Sequence, residues 1–202
     1  MNKYVVEFIG TFFLVLVVAL SGNPLAVGAV LVALIYMGGY ISGAHYNPAV
    51  TLAALIAKKI KAQEAGKYML TQLFAAVLAA ATYYFLTYDR FVVEPSVHFS
   101  LASAITAEIV FTFLLASVVL HTAATDKTKG NNYFGLAIGL TVMAGAFAVG
   151  PISGGVFNPA VGVGPILYDI SNFSFYTNAL VTYLIGPFAG GALAGLVYNK
   201  LK

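Results

Sequence analysis

The stretch Ser42-Gly43-Ala44-His45-Tyr46-Asn47-Pro48-Ala49-Val50 returns in altered form as Ser153-Gly154-Gly155-Val156-Phe157-Asn158-Pro159-Ala160-Val161. Asn is a favoured helix N-cap, and Pro is preorganised for the first helical position, so each copy reads as a helix start. The helices that follow are expected over 47–57, where Lys58, Lys59 and Lys61 close the apolar run, and over 158–168. Each is about 16 Å long at ~1.5 Å per residue, roughly half of a ~30 Å hydrocarbon core. Two half-length helices therefore begin inside a chain whose other apolar segments are full length.

The surrounding composition identifies the solvent. Of 202 residues, 60% are hydrophobic and 8% charged, where soluble domains carry about 25% charged residues. This is the composition of a polytopic membrane protein. Spans are expected at about 4–20, 25–42, 68–86, 101–120, 134–150 and 178–197, with a polar loop at 88–99. The predicted fold is an all-α membrane protein of six transmembrane helices plus two re-entrant half-helices. Met1-Asn2-Lys3 leads directly into an apolar segment containing Glu7, which reads as a retained first span rather than a cleaved signal. The chain has no cysteine, which excludes thiolate catalysis and cysteine-ligated metals. It offers no nucleophile–base–acid set and no metal cluster, so the reading is not an enzyme, with no cofactor.

Six spans and two half-helices put both termini on one side. Lys3, Lys58, Lys59, Lys61, Lys67, Lys127, Lys129, Lys200 and Lys202 then share that side, and Arg90 alone falls on the other. That asymmetry makes the terminal side cytoplasmic, and it accounts for the basic residues without a nucleic-acid partner. An internal repeat is also visible. Val6-Glu7-Phe8-Ile9-Gly10-Thr11 resembles Ala107-Glu108-Ile109-Val110-Phe111-Thr112. Three spans per half make the halves, about 1–98 and 99–202 of one channel domain, inverted repeats whose half-helices meet near the midplane.

Non-helical backbone at membrane depth persists only when buried in protein or lining a wet cavity. The Gly-rich segments before Asn47 and Asn158 fit a narrow water path walled by carbonyls. Each half-helix aims its N-terminus, about half a positive unit charge, at the midplane and opposes cations there. Each Asn side chain accepts a backbone N–H and offers NH₂ donors to the lumen. A water at that point donates nothing to the pair, which breaks a proton wire. These parts pass neutral hydrogen-bonding solutes and refuse ions.

The paired Asn-Pro-Ala boxes in inverted halves, with Glu7 and Glu108 in spans 1 and 4, resemble the aquaporin (major intrinsic protein) family. Ser42 to Thr51 and Ala124-Thr125-Asp126-Lys127 are smaller matches to it. The resemblance covers essentially the whole chain. It implies six tilted helices around the half-helices, a pore in each monomer lined by the boxes (Asn47, Pro48, Ala49; Asn158, Pro159, Ala160), and a homotetramer in a cell membrane. Intramembrane carboxylates are functional candidates, either a proton relay or a clamp on the re-entrant loops. The family resemblance favours the clamp for Glu7 and Glu108. His45 reads as a pore-adjacent loop residue, with pH sensing as the alternative. His98 reads as solvated. The pairs Gly39/Gly43, Gly135/Gly139, Gly186/Gly190 and Gly191/Gly195 are expected to bring helices close.

One departure bears on selectivity. Family members usually follow the second box with Arg, where this chain has Val161. The other filter positions, counted by their offsets from the two Asn residues, are Val27, Ala146 and Gly155. The resulting set is small and uncharged. It implies a wider filter, open to glycerol, urea, ammonia or hydrogen peroxide as alternatives to water alone. Phe147 would enter the lumen after a one-residue slip, and Arg90 would restore a charge if it folded over the vestibule. A secondary carrier and a purely structural membrane protein are the competing classes.

Overall fold

The structure, a computed structural model, describes residues 2–201. Lys202, one of the counted basic residues, lies outside them. Eight helices follow in order: α1 Lys3–Ser21, α2 Pro24–Ser42, α3 Pro48–Ile56, α4 Ala62–Thr87, α5 Leu101–Thr122, α6 Phe134–Ser153, α7 Pro159–Tyr168 and α8 Thr177–Leu201. Short 3-10 segments occupy Asp126–Thr128 and Ile170–Tyr176. No strand occurs among the described residues. Among the described residues, six helices are long and apolar enough to cross a membrane, while α3 and α7 have only 9 and 10 residues. The protein is an integral, multi-pass membrane protein.

Local chemistry sets the helix ends. Asn2, Asn23 and Ser100 accept backbone N–H bonds as the N-caps of α1, α2 and α5, satisfying donors that a helix start leaves orphaned. The starting Pro of α2, α3 and α7 lacks the N–H that would have been orphaned there. α4 begins at Ala62, six residues before the expected span, because hydropathy misses its polar first turns. An ion pair between Lys3 and Glu64 ties that end to the start of α1. α8 likewise runs to Leu201, past its apolar stretch.

The packing interlocks the two halves. α1 lies against α2 and α4, α5 against α6 and α8, and α2 against α6. Each half-helix packs on the last long helix of the other half, α3 on α8 and α7 on α4. Two glycine pairs on α8 permit this on two sides. A Cβ on Gly190 would lie 2.4 Å from the Ile109 carbonyl oxygen of α5, and one on Gly191 would lie 2.4 Å from that of Ala49 in α3. The Gly135/Gly139 pair faces α2 with similar closeness. The Gly39/Gly43 expectation does not hold as a packing pair. Gly43 is instead the left-handed C-cap of α2, with φ of 86°, and a Cβ on Gly39 would come no closer than 3.4 Å to Phe134.

Candidate functional site

The two boxes are built by the same backbone path. Gly43, Ala44 and Tyr46 have positive φ before Asn47, and Gly154, Gly155 and Phe157 have it before Asn158. Non-glycine residues held there cost on the order of 1–3 kcal/mol each and persist only when their surroundings fix them. The fixing groups are the intramembrane carboxylates. Glu7 accepts from Ser42 Oγ (2.7 Å) and His45 N (2.9 Å) on one oxygen, and from Tyr46 N (2.7 Å) and Gln72 Nε2 (2.8 Å) on the other. Glu108 accepts from Ser153 Oγ (2.7 Å), Val156 N (2.9 Å) and Phe157 N (2.6 Å). Both carboxylates are fully buried and surrounded by donors. That is the geometry of a clamp. Tyr68 and Tyr183 complete it by donating their hydroxyls to the Ser42 and Ser153 carbonyls, at 2.8 and 2.7 Å.

The left-handed turn at Tyr46 and Phe157 sends each carbonyl to the opposite box. Asn47 Nδ2 donates to the Phe157 carbonyl at 2.8 Å, and Asn158 Nδ2 donates to the Tyr46 carbonyl at 2.9 Å. Each Asn oxygen caps its own half-helix, Asn47 from Ala49 N at 2.8 Å and Asn158 from Ala160 N at 3.0 Å. One NH₂ proton of each Asn is thus used across the junction, leaving the other for the lumen. The aromatic rings lock this from behind. Tyr46 is buried where a Cβ on Gly10 or Gly38 would lie 2.1 Å from it, and Phe157 packs beside Gly145 and Phe111. The sequence offered no local signal for these reciprocal bonds. Gly10 and Gly38 become legible as sockets only once the helices are assembled.

A cavity of about 440 Å³ passes both Asn residues, and a single water needs only about 10–15 Å³ on such a measure. Val27, Ala146, Gly155 and Val161 all line it, and so does His45. Its polar side chains are Asn23, His45, Asn47, Glu94 and Asn158, and the remainder is apolar side chain and backbone. A second cavity on the terminal face, bearing Lys58, Lys59 and Lys61, shares His45 and Val119 with the first. Those two residues therefore line both cavities. Thr51 Oγ1 donates to the Asn47 carbonyl at 3.0 Å and lies 3.0 Å from His45 Nδ1.

Two residues sit elsewhere than the lumen. Phe147 is 60% exposed on the outer surface, so the register is the one that puts Ala146 at the cavity. Arg90 does not cover the vestibule. Its guanidinium pairs with Asp169, whose carboxylate also accepts from Tyr176 Oη (2.7 Å) and Asn172 Nδ2 (3.0 Å). Burial draws the Asp169 pKa upward, but the Tyr176 and Asn172 hydrogen bonds and the Arg90 charge outweigh it and hold the carboxyl below its ordinary value. Asp169 went unnoticed in the sequence, since nothing near it in the chain signals a partner seventy-nine residues away.

The family model for major intrinsic protein matches residues 1–198. The chain belongs to that family. It is 34% identical over 214 residues to aquaporin NIP1-4 of Oryza sativa subsp. japonica, covering 97% of this chain and 75% of that protein. It is 33% identical over 221 residues to the putative aquaporin NIP4-1 of Arabidopsis thaliana, covering all of this chain and 75% of the relative. The X-ray structure of the aquaglyceroporin from Plasmodium falciparum superposes with a TM-score of 0.75 at 21% identity, over 98% of this chain and 95% of that one. The fold is thus that of the family, and this member is a passive membrane channel for water and small solutes, not an enzyme.

Proposed function

We propose that this channel has a wide, uncharged filter formed by Val27, Ala146, Gly155 and Val161, and that glycerol-sized neutral solutes pass it together with water. The observation that carries the reading is the lining itself. These four positions share one cavity with both box asparagines, and none supplies a charge or a side-chain hydrogen bond. A glycine at 155 is enforced by geometry, since φ is +63° and a Cβ would lie 2.9 Å from Ala146 Cα. Backbone and the Asn amides serve the solute's hydroxyls on one side, and aliphatic groups face its carbons on the other. The structural neighbour named above as an aquaglyceroporin is consistent with such a lining.

Cation rejection rests on the two half-helix N-termini and the lumen-facing amide donors of Asn47 and Asn158, because the filter holds no fixed positive charge. The halves 1–98 and 99–202 act as inverted repeats, supported by the matched clamps of Glu7 and Glu108. The termini are cytoplasmic, supported by the lysine asymmetry, and the assembly is a homotetramer, as the family resemblance implies. The test is Val161→Arg in proteoliposomes, with water and glycerol fluxes followed by stopped flow. Water passage should persist while glycerol slows severalfold. Unchanged glycerol flux would overturn the filter reading.

A further inference from the structure

Residues 88–100, which join α4 to α5, form one wall of the pore mouth through Phe91, Val92, Val93 and Glu94. Val92 and Val93 pack into the same apolar cluster as Val156, Ala160 and Val161. Val93 approaches so closely that a Cβ on Gly154 would lie 2.5 Å from its Cγ1. The segment therefore supplies bulk that the small filter residues lack. Beyond that apolar packing, three polar or aromatic contacts hold it: Ser96 N donates to the Ile152 carbonyl at 3.1 Å, Phe91 lies 5.8 Å from the Tyr83 ring, and Arg90 pairs with Asp169. The first two reach α6 and α4. The third is the ion pair that ties the segment to the turn following α7, the half-helix carrying Val161.

We propose that the Arg90–Asp169 pair is a positioning latch that seats residues 88–100 against Gly154 and Val161, so that a contact outside the lumen sets the pore's width and its upper limit on solute size. The receiving end is rigid: the Asp169 side chain is 3% exposed and is held by Tyr176 and Asn172. Arg90 is 49% exposed, so the latch lies at the surface while its consequence lies inside. A charge-assisted bond to a buried, pre-oriented carboxylate holds its geometry better than an ordinary surface pair. Arg90 is the only arginine in the chain. The inference rests on the filter reading above.

The experiment compares water, glycerol and xylitol fluxes through the full chain in proteoliposomes. Arg90→Gln and Asp169→Asn should each raise the xylitol-to-glycerol ratio by roughly tenfold, the discrimination that a methylene-sized change in a pocket commands, with water flux little changed. Arg90→Lys should retain the parent ratio. A folding defect lowers all three fluxes together and leaves the ratio alone, so a reporter accompanies them. The chain has no cysteine, and Val93→Cys should react faster with a water-soluble thiol reagent when Arg90→Gln is added. An unchanged ratio with unchanged labelling, whether or not total flux falls, overturns the latch. Val161→Arg, measured in parallel, separates the failures. If it slows glycerol while the latch variants keep the parent ratio, only the latch is wrong; if it too has no effect, the filter reading fails.

Discussion

Glu108→Gln removes one acceptor from a cluster in which every neighbouring group donates. In the parent, Glu108 Oε1 takes Ser153 Oγ and Val156 N, and Oε2 takes Phe157 N at 2.6 Å. A glutamine keeps the first oxygen but turns an NH₂ toward the Phe157 N–H. Phe157 is 1% exposed, so no water replaces the lost bond, and an unsatisfied buried donor costs about 1–3 kcal/mol. The two retained bonds pass from a charged to a neutral acceptor and lose about 1 kcal/mol each. The sum is about 3–5 kcal/mol, or roughly 6–20 °C in midpoint for a domain of this size. Phe157 also loses the group that holds its left-handed φ of 52°, and with it the carbonyl aimed at Asn47 relaxes. Thermal unfolding of the purified protein in detergent, paired with stopped-flow water flux, gives the comparison. A lower midpoint with reduced water flux is expected. An unchanged midpoint with loss of a proton-dependent uptake would refute the clamp and revive a relay.

Gly155→Val should cut glycerol flux much more than water flux, because the new side chain projects beside Ala146 from a strained backbone; equal losses of both fluxes would count against a filter at that position. The ion pair of Asp169 gives a pH dependence of known sign. Its carboxyl is held below the ordinary value, so its stabilising contribution is complete above the unfolded pKa of about 3.9 and is lost as pH falls through the lower folded value. Thermal midpoints should stay flat in this respect from pH 8 to 5 and fall only below about pH 4, and Asp169→Asn should remove that acid-limb contribution. A loss centred near pH 6 in the parent and absent from Asp169→Asn would contradict the assignment.

Much of the fold was legible because a bilayer constrains sequence strongly. Asn47-Pro48 and Asn158-Pro159 mark their helix starts by capping chemistry alone, and α3 ends at Ile56, two residues before Lys58, the first of the lysines that stop its apolar run. The start of α4 was not legible. Gln63, Glu64 and Lys67 keep residues 62–67 out of an apolar window, yet they extend α4, and Glu64 in its first turn pairs with Lys3. Within the site, the family resemblance, counted from the boxes, named four positions that the fold brings to one cavity. The reciprocal Asn-to-carbonyl bonds were hidden, since they join residues 110 and 112 apart. The role of His45 was also out of reach. Its contact with Thr51 and its place beside Val119 on both cavities are set by the assembled helices, not by its own neighbours. Arg90 was readable as the lone basic residue on its side, but its partner was not, because Asp169 lies at the end of the other half-helix.

The central claim, that an uncharged filter admits glycerol-sized solutes through a lumen guarded by Asn47 and Asn158, faces its most direct test in the unaltered protein. Proteoliposomes are mixed with a hyperosmotic glycerol solution, and their volume is followed by light scattering. Rapid shrinkage followed by reswelling well above the rate of protein-free vesicles is the expected result. Rapid shrinkage with reswelling no faster than in protein-free vesicles would contradict it and make this a channel for water alone.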